Sequence, residues 1–178
     1  QVYRGIASAN DSVFDAVAST KGMVLAAEDQ IADVYYSSST GGYTVSAKDT
    51  WGGSDSSYLT SVPTPWERYS EYNNGLWITE VSGEELADYL REKGYDELTG
   101  RRIVDIEIDS FSGDSPYVYS ITYTDSKGNA LTISRCDKVR TSISKYVKSA
   151  NFIVGQGELE YTYDEVQHID MDSPFSFT

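Results

Sequence analysis

Val104-Asp105-Ile106-Glu107-Ile108-Asp109 alternates apolar and acidic residues with a period of two. That is the pattern of a half-buried strand with one wet face, because successive side chains of a strand point to opposite sides. Downstream, residues 117–124 and 130–134 are strand-like and flank Asp125-Ser126-Lys127-Gly128-Asn129, a hairpin turn. Upstream, residues 76–81 read as a further strand. Ser82-Gly83-Glu84-Glu85 then has the form of a capping box, in which the Ser82 hydroxyl accepts from a free backbone N–H and Glu85 reaches back. Leu86, Tyr89 and Leu90 share one helical face. Glu84 and Glu85 at the start and Arg91 and Lys93 at the end suit the helix dipole, and Gly94 suits the C-terminal cap. Val139, Ile143 and Val147 predict a second short helix over residues 138–146, and residues 151–154 read as a last core strand.

The N-terminal stretch reads as a small antiparallel meander. Residues 13–18, 23–27 and 31–36 are apolar-rich and are separated by Lys21-Gly22 and by Glu28-Asp29-Gln30. Residues 37–57, dense in Ser, Thr, Gly and Asp, read as a long loop, and a loop of that length inside a domain is commonly functional. Beyond residue 154 the pattern loosens into an edge strand over 158–163 and a ragged tail. The expected class is α+β, mainly antiparallel β meander with two short helices. The expected organisation is a core over 1–154 followed by an edge strand and loose tail over 155–178.

The 178 residues are enough for one domain with a sizeable core, and 39% apolar and 13% aromatic residues, with 15 Tyr, argue against disorder. Fourteen basic and 28 acidic residues give a net charge of −14. A surface of that sign is repelled by nucleic-acid phosphates and by anionic membranes, and suits an uncharged or cationic ligand or simply a soluble, secreted surface, the solubility reading being the favoured one. No apolar run is long enough to span a membrane. Cys136 is the lone cysteine, which excludes an intrachain disulfide. His168 is the lone histidine and sits in the tail. With no nucleophile-elbow sequence beside it, a serine-hydrolase triad is not expected. Asn10-Asp11-Ser12 fits a glycosylation sequon.

One stretch carries a family resemblance. Tyr35-Tyr36-Ser37-Ser38-Ser39-Thr40-Gly41-Gly42-Tyr43-Thr44 is preceded by Ala16-Val17, Thr20, Gly22, Val24-Leu25 and Ile31. It is followed by Trp51-Gly52 and Tyr58-Leu59-Thr60-Ser61-Val62. This order resembles the SpoIID/LytB domain family. Arg140 and Lys148-Ser149-Ala150-Asn151-Phe152 resemble the family's ending, and Gln1-Val2-Tyr3-Arg4-Gly5 its lead-in, so the likeness spans residues 1–154. It implies work on the bacterial cell wall outside the cytoplasm, in sporulation or vegetative wall turnover. Family members act as peptidoglycan lytic transglycosylases on glycan strands stripped of stem peptides, or as enhancers of a cell-wall amidase. The implied partners are glycan strands, with an amidase or another envelope protein in the alternative.

Two family features have no counterpart. The family's catalytic glutamate lies in an N-terminal helical segment before the matched region, and its glycine- and histidine-rich ending has no match. Either those parts have been removed by processing or trimming, or the protein has lost them, and the chain is expected to lack the catalytic acid. Some members hold zinc through Cys and His in the loop. Thr40 and Tyr43 stand near those places here, and with a single Cys and a single His far apart no metal site and no cofactor are expected.

The residue chemistry of the loop points the same way. Gly41-Gly42 allows positive φ or close approach to a ligand. Ser37, Ser38, Ser39, Thr40, Tyr43 and Thr44 offer hydroxyls to a neutral glycan, and Trp51, Tyr58 and Trp66 offer flat faces to sugar rings. The candidate substrate-binding set is Tyr36, Ser37, Ser38, Ser39, Thr40, Gly41, Gly42, Tyr43, Thr44, Trp51, Tyr58 and Arg140. No residue of this chain is assigned as catalytic. Glu67, Glu71, Glu80, Glu84 and Glu85 are acid/base candidates by type alone. The functional expectation is glycan-strand binding or processing, with a non-catalytic wall-binding or amidase-enhancing module as the alternative.

Overall fold

The computed structural model describes residues 6, 9–37, 39–65, 77–156 and 175–177. They divide into two compact units, residues 1–37 and 38–178, and the class is mixed α+β with antiparallel sheets.

In the first unit, helix α1 spans Asp11–Ser19. The sequence reading made residues 13–18 a strand, and the structure corrects it. Asn10, the sequon asparagine, caps the helix by accepting from the Val13 N–H at 3.1 Å. Val13 and Val17 stand four apart on one face, with the good helix formers Ala16 and Ala18 between and beyond. The Thr20 hydroxyl donates to the Ala16 carbonyl at 2.8 Å, ending the last turn. Strands β1 (Ala26–Ala27) and β2 (Gln30–Ile31) then form the expected hairpin, pairing Ala26 with Ile31. Its two-residue turn, Glu28-Asp29, has φ of 52° and 61°. Positive φ at both positions is what a turn matched to strand twist requires. Side chains Val13, Phe14, Val17, Met23, Leu25 and Ile31 are all exposed, and none of α1 is buried.

In the second unit, β4 (Ile103–Phe111), β5 (Val118–Asp125) and β6 (Ala130–Ser134) make an antiparallel meander in that order. Along β4, Asp105, Glu107 and Asp109 are exposed while Ile106 and Ile108 pack against the core, as the alternation predicted. Helix α3 (Gly83–Glu92) and helix α4 (Cys136–Ser142) pack on this sheet. The core between them holds Leu86, Leu90, Leu98, Ile121, Tyr123, Leu131, Ile133, Val139, Ile143, Val147 and Phe152. Ser82 caps α3 by accepting from the Glu85 N–H at 3.2 Å. The other half of the expected capping box differs: the Glu85 carboxylate turns to Lys145 at 2.6 Å and the Tyr146 hydroxyl at 3.2 Å instead. Gly83 is required where α3 starts, since a Cβ there would sit 2.2 Å from the Ile103 carbonyl oxygen.

A second sheet is less legible in sequence. β3 (Thr79–Val81) and β7 (Val154–Gln156) both pair antiparallel with β8 (Phe175–Phe177), which lies between them. The loose tail expected beyond residue 154 therefore contributes a central strand. The edge strand expected over 158–163 falls outside the described residues. No helix among the described residues is long and apolar enough to cross a membrane.

Candidate functional site

The stretch read as a long loop is tied down along its length, and a five-residue helix, α2 (Ala47–Trp51), sits inside it. Ser46 caps α2 through the Asp49 N–H at 3.0 Å. Residues 40–44 run against 60–64. The Thr44 N–H donates to the Val62 carbonyl at 2.9 Å, the Thr64 N–H to the Gly42 carbonyl at 2.7 Å, and Tyr43 bridges Pro63. Hydroxyls expected to face a ligand serve this closure. Thr44 Oγ1 accepts from the Val62 N–H and donates to the Thr60 carbonyl, and Thr40 Oγ1 bonds Thr64 Oγ1. Short Ser and Thr side chains compete well for nearby backbone groups, so a hydroxyl-rich loop closes on itself.

Four side-chain bonds fasten this loop to the body of the second unit. The Tyr117 hydroxyl donates to the Thr40 carbonyl at 2.9 Å and Asn151 Nδ2 to the Gly41 carbonyl at 3.1 Å. Ser112 Oγ donates to Asp49 at 2.6 Å, and Arg135 Nη1 to the Trp51 carbonyl at 2.8 Å. Gly41 is held at φ 60°, and a Cβ there would meet Asn151 Nδ2 at 2.9 Å. The positive φ is the reason for glycine at this position, and the approach of the Asn151 amide adds to it.

Beside the loop lies an open groove of about 430 Å³. Tyr43 forms its loop-side wall, Phe111 comes from the end of β4, Pro116 from the β4–β5 turn, and Phe152 and Ile153 from the segment entering β7. Asp114 and Asn151 are its polar side chains besides Ser115, and among the described residues no Lys, Arg or His lines it. Phe111 is 48% exposed, a large apolar side chain at the end of a strand with one face to water. The groove's walls are mainly apolar and it is wide open to solvent, so a ligand lying on it would keep one face in water.

Of the expected residues, Tyr43 lines the groove and Thr40, Gly41, Gly42 and Thr44 build the loop that presents it. Ser39 is half-buried and its Oγ accepts from the Gly41 N–H at 3.4 Å. Trp51 and Tyr58 are 49% and 43% exposed on the same loop. Tyr36 and Ser37 belong to the first unit and are exposed, and Ser38 lies outside the described residues. Arg140 pairs with Asp137 on its own helix at 3.0 Å and does not line the groove. Sequence reasoning missed Phe111, Asp114 and Pro116. Their segment, Phe111-Ser112-Gly113-Asp114-Ser115-Pro116, has the composition of a turn, and its two apolar members carry no periodic signal.

Among the acid candidates, Glu84 pairs with Arg101 at 3.5 Å. Hydrogen bonds from Lys145 and from Tyr146 hold the Glu85 carboxyl below its ordinary value, which is the reverse of what a proton-donating acid needs. Trp66, Glu67, Glu71 and His168 lie outside the described residues. Cys136 is buried, and burial, with the nearby Asp49 charge, pushes its thiol up to about 12, so it is no nucleophile at neutral pH. Among the described residues no three His, Cys, Asp or Glu side chains converge to hold a metal ion.

No family model and no curated protein matches this chain.

Proposed function

We propose that this chain binds glycan strands of the bacterial cell wall through the groove beside the Gly41-Gly42 loop, without itself breaking a bond. The observation that carries this reading is the groove's wall chemistry. Tyr43 and Phe111 offer aromatic faces, with a carboxylate and an amide at the polar positions and no basic group among the described residues. The C–H faces of pyranose rings lie well against aromatic rings, and a neutral polymer approaches a −14 chain without repulsion. The SpoIID/LytB-like order of segments around the loop, running on to Asn151-Phe152 at the groove, supports the same ligand class. A lytic transglycosylase needs a carboxyl that keeps its proton near neutral pH. Glu84 and Glu85, paired with Arg101 and Lys145, do not meet that need.

The test uses the neutral hexamer of N-acetylglucosamine for binding and denuded glycan strands for turnover. Tyr43→Ala and Phe111→Ala are each expected to weaken binding by about five- to ten-fold, the loss of one aromatic contact. The unsubstituted chain is expected to yield no 1,6-anhydro products. Unchanged binding by both folded variants would remove the groove as the site, and turnover by the chain alone would remove the non-catalytic reading.

A further inference from the structure

The groove has one ionic feature, Asp114, placed between Gly113 and Ser115 on the turn that joins β4 to β5. It is exposed, and among the described residues no ion pair to it occurs and no cation lines the groove. The wider field has the same sign, at −14 for the chain. A glycan strand stripped of its stem peptides bears a free lactyl carboxylate on each muramic residue. Asp114 and the net charge both disfavour that anion. A hexosamine that has lost its N-acetyl group carries a primary ammonium instead. That cation is drawn to Asp114, and it is also attracted to the faces of Tyr43 and Phe111.

We infer that the groove selects an ammonium-bearing hexosamine, a de-N-acetylated unit of the glycan strand, through Asp114 beside the Tyr43 and Phe111 rings. The inference rests on the glycan-binding reading above and narrows it to a substrate class. The ring stacks on the aromatic walls and supplies most of the contact, while the ammonium pairs with Asp114 and sets the preference. Because the pair is exposed to water, the preference is modest and depends on salt.

The experiment titrates the full chain with three probes: the hexamer of glucosamine, the hexamer of N-acetylglucosamine, and Nα-acetyl-lysine methylamide. The glucosamine hexamer is expected to bind tighter than its acetylated counterpart, by about two- to five-fold at low salt. Added salt should weaken the first and leave the second unchanged. Asp114→Asn, in an exposed turn and checked for folding by its melting curve, should shrink the preference by weakening the glucosamine hexamer more than the acetylated one, the remainder being the attraction of the whole chain's charge. Equal binding of the two hexamers would overturn this inference and leave the glycan-binding reading standing. Binding of neither would overturn both. An undiminished preference in Asp114→Asn would overturn the role of Asp114. Displacement by the lysine amide as effective as by the amino sugar would overturn the requirement for a sugar ring.

Discussion

At the scale of single residues, the chemistry of the molecule turns on where its carboxylates find donors. Asp125 is buried, and burial opposes its charge. The opposing bonds win: its oxygens accept from the Asn129 side chain and from the backbone N–H groups of Gly100, Asn129 and Lys127. The carboxyl is held well below the usual carboxylate range. Since its folded value lies below its unfolded value of about 4, its stabilising contribution is full above that pH and is lost as the pH falls towards the folded value. Asp125→Asn places an amide where an acceptor is needed. With one oxygen left, either the buried Gly100 N–H or the N–H groups of Lys127 and Asn129 lose their acceptor, at a cost of ~1–3 kcal/mol. The variant should show a lower urea midpoint than the parent at pH 7 and a smaller deficit at pH 3. An equal deficit at both pH values would mean that the carboxylate's charge contributes nothing. The sequence marked residues 125–129 as a turn, and that was correct. It gave no sign that the first residue of the turn reaches 25 positions back to Gly100, because a contact of that kind leaves no local pattern.

At the scale of elements, legibility followed periodicity. α3 and β4 were readable because each buries one face at its own repeat. α1 was misread as a strand because its apolar residues crowd into a short run with no clear helical repeat, and its cap, Asn10, was read as part of a sequon. β8 was missed because three residues are too few to show alternation, and its pairing partners lie far away in sequence. The candidate site divides in the same way. The Gly41-Gly42 loop was visible from composition, but the destination of its hydroxyls was not, since Thr40 and Thr44 bond to residues some twenty positions ahead. That closure makes the loop a defined element whose weak point is Gly41. Gly41→Ala puts a side chain at φ 60° and pushes on Asn151 Nδ2. The left-handed conformation costs a non-glycine residue roughly 1–2 kcal/mol, and the Asn151 bond to the Gly41 carbonyl is strained as well. The core contains neither residue. The expected outcome is therefore a melting temperature lowered by only a few degrees, with a displaced Asn151 side-chain amide resonance and weaker glycan binding. An unmoved Asn151 resonance would show that the contact does not hold the loop.

At the scale of the whole molecule, burial is divided unequally between the two units. Every fully buried apolar side chain among the described residues lies at or beyond Val81, in the second unit. The first unit carries a capped helix and a hairpin but buries none of its large apolar groups. Segments below about 40 residues rarely sustain a core of their own, so little of the free energy of folding is generated within residues 1–37. The groove and the bonds that build it from residue 40 onward belong wholly to the second unit. A chain beginning at residue 38 is therefore expected to fold. Its cooperative thermal transition should lie within about 3 °C of the parent's, since at this size a shift of that order corresponds to roughly 1 kcal/mol. It should also keep the preference for the amino-sugar hexamer, because Tyr43, Phe111 and Asp114 are all retained. Calorimetry of the shortened chain and the same titration check both statements. Loss of the cooperative transition would show that residues 1–37 complete the core. A preserved transition with lost binding would place part of the ligand surface on Tyr36 or Ser37, which the sequence singled out and which lie in the first unit.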